Sequence, residues 1–179
     1  VGGNDAEIER GAEWVIDTTV LSAFALAEEL SILGSHCEGR AAWTTVVYSE
    51  ILSGVSEEPR LGSALVADWL NEPEPIYEVE RVEDLRLRLG GHPQNQRHLG
   101  EATSIVLAQR LDAGILVDDR DAKRLAEASG LRTGTTVSVL HAAVEVGHMD
   151  AEQASATLFN LIDRYGRRLP RLSPESFIC

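Results

Sequence analysis

The sequence predicts an α/β domain around a central, mostly parallel sheet of four or five strands. Three observations carry this expectation. Short apolar runs of strand type, "WVID", "AAWTT", "ILVD" and "LRTG", alternate with longer stretches of helical periodicity. The 179 residues fit one domain and are enough to bury a proper core. Apolar residues make up 44%, an ordinary share for a globular chain, so the alternating elements have material to pack.

"WVID" (14–17) is the first strand. "TTVLSAFALAEELSILG" follows as one helix, with Thr18 or Thr19 as N-cap and Gly34 as its stop. "AAWTT" (41–45) is a second strand and leads into a helix through "VVYSEILSGV". "EEPRLGSALVADWLN" is a further helix, with Pro59 tolerated in its first turn. The prolines of "EPEPIYEVE" demand extended chain. "VEDLRLRLGG" is a short helix ended by glycines, and "GHPQNQR" (91–97) is a loop. "LGEATSIVLAQRLDAG" is a strong helix with an apolar stripe through Ile105, Ala108 and Leu111. Then come the strand "ILVD", the helix "RDAKRLAEASG", the short strand "LRTG" and the helix "TVSVLHAAVEVG". A last amphipathic helix runs from Asp150 to about Leu169. Residues 1–12 read as a flexible arm or a remnant, 13–149 as the domain proper, and 150–179 as a helical extension and tail.

Composition excludes several classes. No apolar stretch approaches the roughly 20 residues that span a bilayer, and no signal peptide is visible near the start. No membrane role and a cytoplasmic setting are therefore expected. Cys37 and Cys179 are too few for a disulfide framework. There is no CxxC or HExxH for zinc, no GxxxxGK or GxGxxG for nucleotides, and no GxSxG elbow. The net charge is −13, and it lies almost wholly in residues 1–90, where 6 basic and 18 acidic side chains sum to −12. That balance argues against nucleic-acid binding. It is softened by Arg120, Lys123 and Arg124, and by Arg164, Arg167, Arg168 and Arg171.

The informative feature is where acids fall. Asp17 ends the first strand, and Asp118 and Asp119 end the strand near residue 115. In parallel α/β sheets, ligands gather outside the carboxyl ends of the strands. Glu50 and Glu101 sit on helices beside apolar or small residues and are expected to head inward, with no evident Lys or Arg partner. A buried carboxylate must be protonated, paired or bound to a cation. Singly, each acid has a structural explanation. Asp17 and Asp119 suit helix N-caps, Asp121 and Glu101 suit first helical turns, and Glu50 suits a solvated helix face. Jointly, they favour a shared site for a hard cation, Mg²⁺ or Mn²⁺, because every donor is oxygen.

These residues carry a family resemblance. "VIDTTVLSAF", "TTVVYSEILSGV" and above all "HLGEATSIVLAQRLDAGILVDDRDAKRLAEASGLRTGTT" resemble PIN-domain nucleases, especially the toxin-type (VapC-like) ribonucleases. The resemblance spans about Trp14 to Gly147 and implies a PIN-like three-layer sandwich. It implies metal ligation and catalysis by Asp17, Glu50, Glu101 and Asp119, with Asp121 as the accessory metal acid. Thr18 would orient a ligand or the attacking water. Asp118 and Asp119 exchange places as candidates, because many members have Thr-x-Asp where this chain reads Val117-Asp118-Asp119.

The function so implied is a Mg²⁺- or Mn²⁺-dependent endoribonuclease, the toxin of a type II toxin–antitoxin pair. Arg97, His98, Arg120, Lys123 and Arg124 would meet RNA phosphates, with a solvated helix face as the alternative for these basics. The partners implied are RNA, an antitoxin protein and a second copy of the chain. A second expectation is a binding module of the same fold that does not cleave.

Overall fold

The computed structural model describes residues 12–92 and 95–178. The expected arm lies outside them but for its last residue, as do two residues of the 91–97 loop. Four parallel strands form the sheet: β1 (Trp14–Ile16), β2 (Ala41–Ala42), β3 (Gly114–Leu116) and β4 (Thr133–Gly134). Their order is β2-β1-β3-β4, so the chain turns one way from β1 to β2 and places β3 on the other side. The boundary between β1 and β3 is thus the switch point at which an open α/β sheet leaves a crevice.

Among the described residues, eight α-helices flank the sheet: α1 (Thr18–Leu26), α2 (Leu30–His36), α3 (Thr45–Gly54), α4 (Val79–Arg88), α5 (Leu99–Leu111), α6 (Arg120–Ala128), α7 (Thr136–Glu145) and α8 (Ala151–Tyr165). Alternation along β1 sorts the core into two layers. Trp14 and Ile16 face a cluster built with Leu21, Phe24, Leu33, Leu140 and Leu158. Val15 faces the opposite cluster, with Ile105, Leu107, Ile115 and Val117. The three-layer α/β sandwich is the architecture the alternating pattern predicts.

Several elements differ from their expected limits. The single helix after β1 is two, because Glu28 adopts a left-handed backbone (φ 62°) and breaks the periodicity. Its N-cap is Asp17 and not a threonine, and the second segment continues past Gly34 to His36. The stretch around Pro59 is a 3₁₀ helix, Pro59–Val66, which buries only Ala64. Leu61 and Leu65 pack beside Ala64 on the core. The last helix stops at Tyr165, because Gly166 takes a left-handed cap (φ 63°). The chain then runs irregularly to a short 3₁₀ turn, Pro174–Phe177.

Residues after 150 are built into the domain. Ala154, Leu158 and Phe177 are buried in the same cluster as β1, and Leu161 packs with Ala23 and Leu26 of α1. Cys37 is buried, and burial pushes its thiol up to about 12, far from reactive. Among the described residues no helix is long and apolar enough to cross a membrane.

Leu158→Ala should cost about 2–5 kcal/mol in urea unfolding, as for a fully buried core leucine. A cost below about 1 kcal/mol would show that α8 is peripheral to the fold.

Candidate active site

Strand pairing brings the first acids together. Ile16 pairs with Leu116, and the Asp17 N–H donates to Leu116 O at 3.0 Å. The chains leaving β1 and β3 therefore emerge side by side, one through Asp17 and the other through Val117 and Asp118.

Asp17 is buried and caps α1. Its Oδ2 accepts from the Thr19 N–H at 3.1 Å and from the Thr19 hydroxyl at 2.7 Å. Its Oδ1 is buried and, among the described residues, without a hydrogen-bond partner. Burial first, then the charge of Glu101 and to a lesser degree that of Glu50, push Asp17 up to about 7, against the pull of the Thr19 bonds. Capping explains Oδ2 but leaves Oδ1 unexplained. Thr19 also accepts from the Asp118 N–H at 3.2 Å, so it ties the two strand ends together. Sequence reasoning missed this role, although a threonine two residues after a capping aspartate is the pattern of a side-chain turn.

Glu50 and Glu101 do not both head into the core. Glu50 is exposed on α3; of its neighbours one turn away, only Val47 is buried. The long side chain nonetheless brings its carboxylate back to the protein. The Thr18 hydroxyl donates to Oε2, and a Cβ at position 100 would stand 2.7 Å from that oxygen. Gly100 thus lets the Glu50 carboxylate rest on the first turn of α5, where the helix dipole favours negative charge. Burial of that carboxylate raises its pKa, the Thr18 bond opposes this, and Glu101 adds to it. Glu101, half-buried at the start of α5, lies with Oε1 3.4 Å from His98 Nδ1.

The aspartates after β3 divide their tasks. Both Asp118 oxygens are engaged by Thr136, through its N–H at 2.8 Å and its hydroxyl at 2.7 Å. Asp118 therefore straps β3 to the start of α7. Asp119 caps α6 with Oδ1 alone, accepting from the Asp121 and Ala122 N–H groups at 3.0 and 2.8 Å. Of the two, Asp119 is the one with an oxygen to spare. Asp121 is exposed in the first turn of α6, with its Oδ1 3.7 Å from Arg124.

A cavity of about 620 Å³ opens on this edge, lined by Thr19, Glu101, Asp118 and Asp119 together with Arg120, Arg167 and Arg168. Glu50 opens instead onto a second cavity with Thr45, Ser49, Ser53 and Gln96. Of the expected RNA contacts, Arg120 alone lines the acid cavity. Arg97 is exposed on the loop before α5. Its carbonyl, with those of His92 and Asn95, accepts from the buried Arg86, which gathers that loop. Lys123 and Arg124 pair with Glu127 and Asp121 along α6 at 3.5 and 3.7 Å.

The donor chemistry fits a hard divalent cation at Asp17, where an orphaned carboxylate oxygen adjoins two like charges. The fit is incomplete in placement. Among the described residues, no three His, Cys, Asp or Glu side chains are gathered as ligands of one ion.

A PIN-domain family model matches residues 13–177. The chain belongs to the PIN-domain family. No curated protein and no solved structure matches it. The match runs through α8, so the C-terminal segment is part of this PIN domain and its arginines belong to the same fold as its acids.

A carboxyl with a higher pKa folded than unfolded keeps its proton longer in the fold. Between about pH 4 and 7 unfolding releases that proton, so stability falls as pH rises through the window. Asp17→Asn should therefore stabilise the chelator-treated PIN domain by roughly 1–3 kcal/mol at pH 8, with no gain near pH 4. An equal effect at both pH values in denaturant melts would exclude a perturbed Asp17.

Proposed function

We propose that this PIN domain is a Mg²⁺- or Mn²⁺-dependent endoribonuclease acting as the toxin of a toxin–antitoxin pair. The observation that carries the nuclease reading is the Asp17 carboxylate, buried with one unpartnered oxygen and flanked by Glu101 and Glu50. PIN domains are a nuclease fold, and the match covers the elements that bear these acids. Asp17, Glu50, Glu101 and Asp119 would hold the metal, with Asp121 as the accessory acid.

A bound divalent cation supplies Lewis acidity and a water acidified toward neutral pH. The chain's own residues do the positioning. Thr19 fixes Oδ2 of Asp17 and leaves Oδ1 as the open donor. Thr18 and the α5 N-terminus hold the Glu50 carboxylate against the first turn of α5. Glu50 and Glu101 are long side chains, so rotation about their own bonds can bring them toward Asp17. Asp118, engaged by Thr136, keeps the β3 end in register with α7. The toxin role and RNA as the substrate rest on the sequence resemblance alone. An antitoxin arginine entering the acid cavity would give the required block.

The acid balance of −13 and the ungathered carboxylates favour a second reading, a PIN fold that binds metal or protein without cleaving. One experiment separates the two. Single-stranded RNA is incubated with Mg²⁺ or Mn²⁺ and wild type, Asp17→Asn, Asp119→Asn or the double variant. The nuclease reading expects cleavage by wild type and a loss of about 100-fold or more in the double variant. Full cleavage by the double variant would mean that the ligand assignment is wrong. Calorimetric Mn²⁺ binding by a wild type that cleaves no RNA would establish the second reading.

A further inference from the structure

Two arginines of the C-terminal segment, Arg167 and Arg168, line the cavity that holds the acids. Gly166 ends α8 in a left-handed cap, and the next residues turn back over α1. Arg167 is the anchor. Its guanidinium donates to Ser22 Oγ of α1 and feels the charges of Asp118 and Asp17. That contact fixes the backbone that presents Arg168 beside the cavity. Arg168 is exposed and, among the described residues, in no ion pair, and the same is true of Arg120 on α6. Arg81, Arg97 and Arg164 are likewise in no ion pair among the described residues, but they do not line the acid cavity, as Arg168 and Arg120 do. Other arginines are engaged by neighbours. Arg40, Arg60, Arg88, Arg110, Arg132 and Arg171 all pair with carboxylates.

We propose that Arg168 and Arg120, the former held in place by the Arg167–Ser22 contact, form a subsite for a backbone phosphate of the RNA strand next to the bond being cut. The inference rests on the nuclease reading and names the part of the chain that receives the substrate. Charge supports it. A strand with one negative charge per nucleotide meets a protein of net charge −13 whose acids line the same cavity. Local cations are what can hold it there, and guanidinium suits phosphate through its paired, planar donors. The two arginines reach the cavity from α6 and from the chain after α8, so they would grip the strand from separate elements.

The test is fluorescence anisotropy of a labelled single-stranded RNA oligonucleotide binding the full chain in Ca²⁺ across a salt series. The proteins compared are wild type, Arg168→Ala, Arg120→Ala and the control Arg88→Ala, whose arginine pairs with Asp84 on α4. Arg168 and Arg120 are exposed, so these variants should fold, and a circular dichroism melt checks it. Each is expected to weaken binding about fivefold at 0.1 M salt and to lower the log–log salt slope by about 0.7, the share of one single-strand phosphate contact. Arg88→Ala should change neither. RNA bound by wild type with Arg168→Ala and Arg120→Ala indistinguishable from it, or from Arg88→Ala, overturns the subsite and leaves the nuclease reading standing. No RNA binding by any protein, wild type included, overturns the nuclease reading and the subsite with it.

Discussion

A carboxylate is buried at the end of the first strand with one oxygen committed and the other, among the described residues, without a hydrogen-bond partner. The rest of the site is arranged around that constraint. Burying an ionised carboxylate without compensation is costly, and here two further acids raise the cost. Such an arrangement is unfavourable for stability alone and makes sense where a cation enters. The fold imposes the placement. Parallel pairing of β1 with β3 puts Asp17 beside the chain leaving β3, and Thr19 locks the two together by accepting from Asp118. The close approach of α3 to α5 at Gly100 then sets Glu50 over the helix that carries Glu101.

The same edge carries its own counter-charge. Arg167 comes from the far end of the chain and lies against α1 with Asp118 and Asp17 in its field. The segment that delivers it is held by Leu158, Leu161 and Phe177, all buried in core clusters shared with β1 or α1. Packing in the last quarter of the chain and electrostatics at the first strand are therefore linked: loosening α8 would shift its arginines relative to the acids.

Much of this was legible in the sequence, for physical reasons that can be named. Alternation of strand and helix runs yielded the α/β class, because side-chain period reports which face is buried. Asp17, Asp118 and Asp119 were legible because strand ends in a parallel sheet share one edge. Glu50 was misjudged. Neighbouring apolar residues suggested an inward face, whereas the residue is exposed and returns its carboxylate through Thr18 and Gly100, contacts 32 and 50 positions away. The choice between Asp118 and Asp119 was invisible, because it depends on Thr136 taking both oxygens of one of them. The break at Glu28 depends on one left-handed backbone conformation in a non-glycine residue, which periodicity does not report. Arg167 was visible only as part of a basic cluster; its reach to Ser22 spans 145 positions.

Direct titration of the Asp17 carboxyl carbon by NMR tests the central claim most closely. In chelator, its midpoint should lie near 7, and saturating Mg²⁺ should move it well down, since a cation bound to the open oxygen favours the ionised form. A midpoint at the ordinary aspartate value, unmoved by Mg²⁺, would contradict the account.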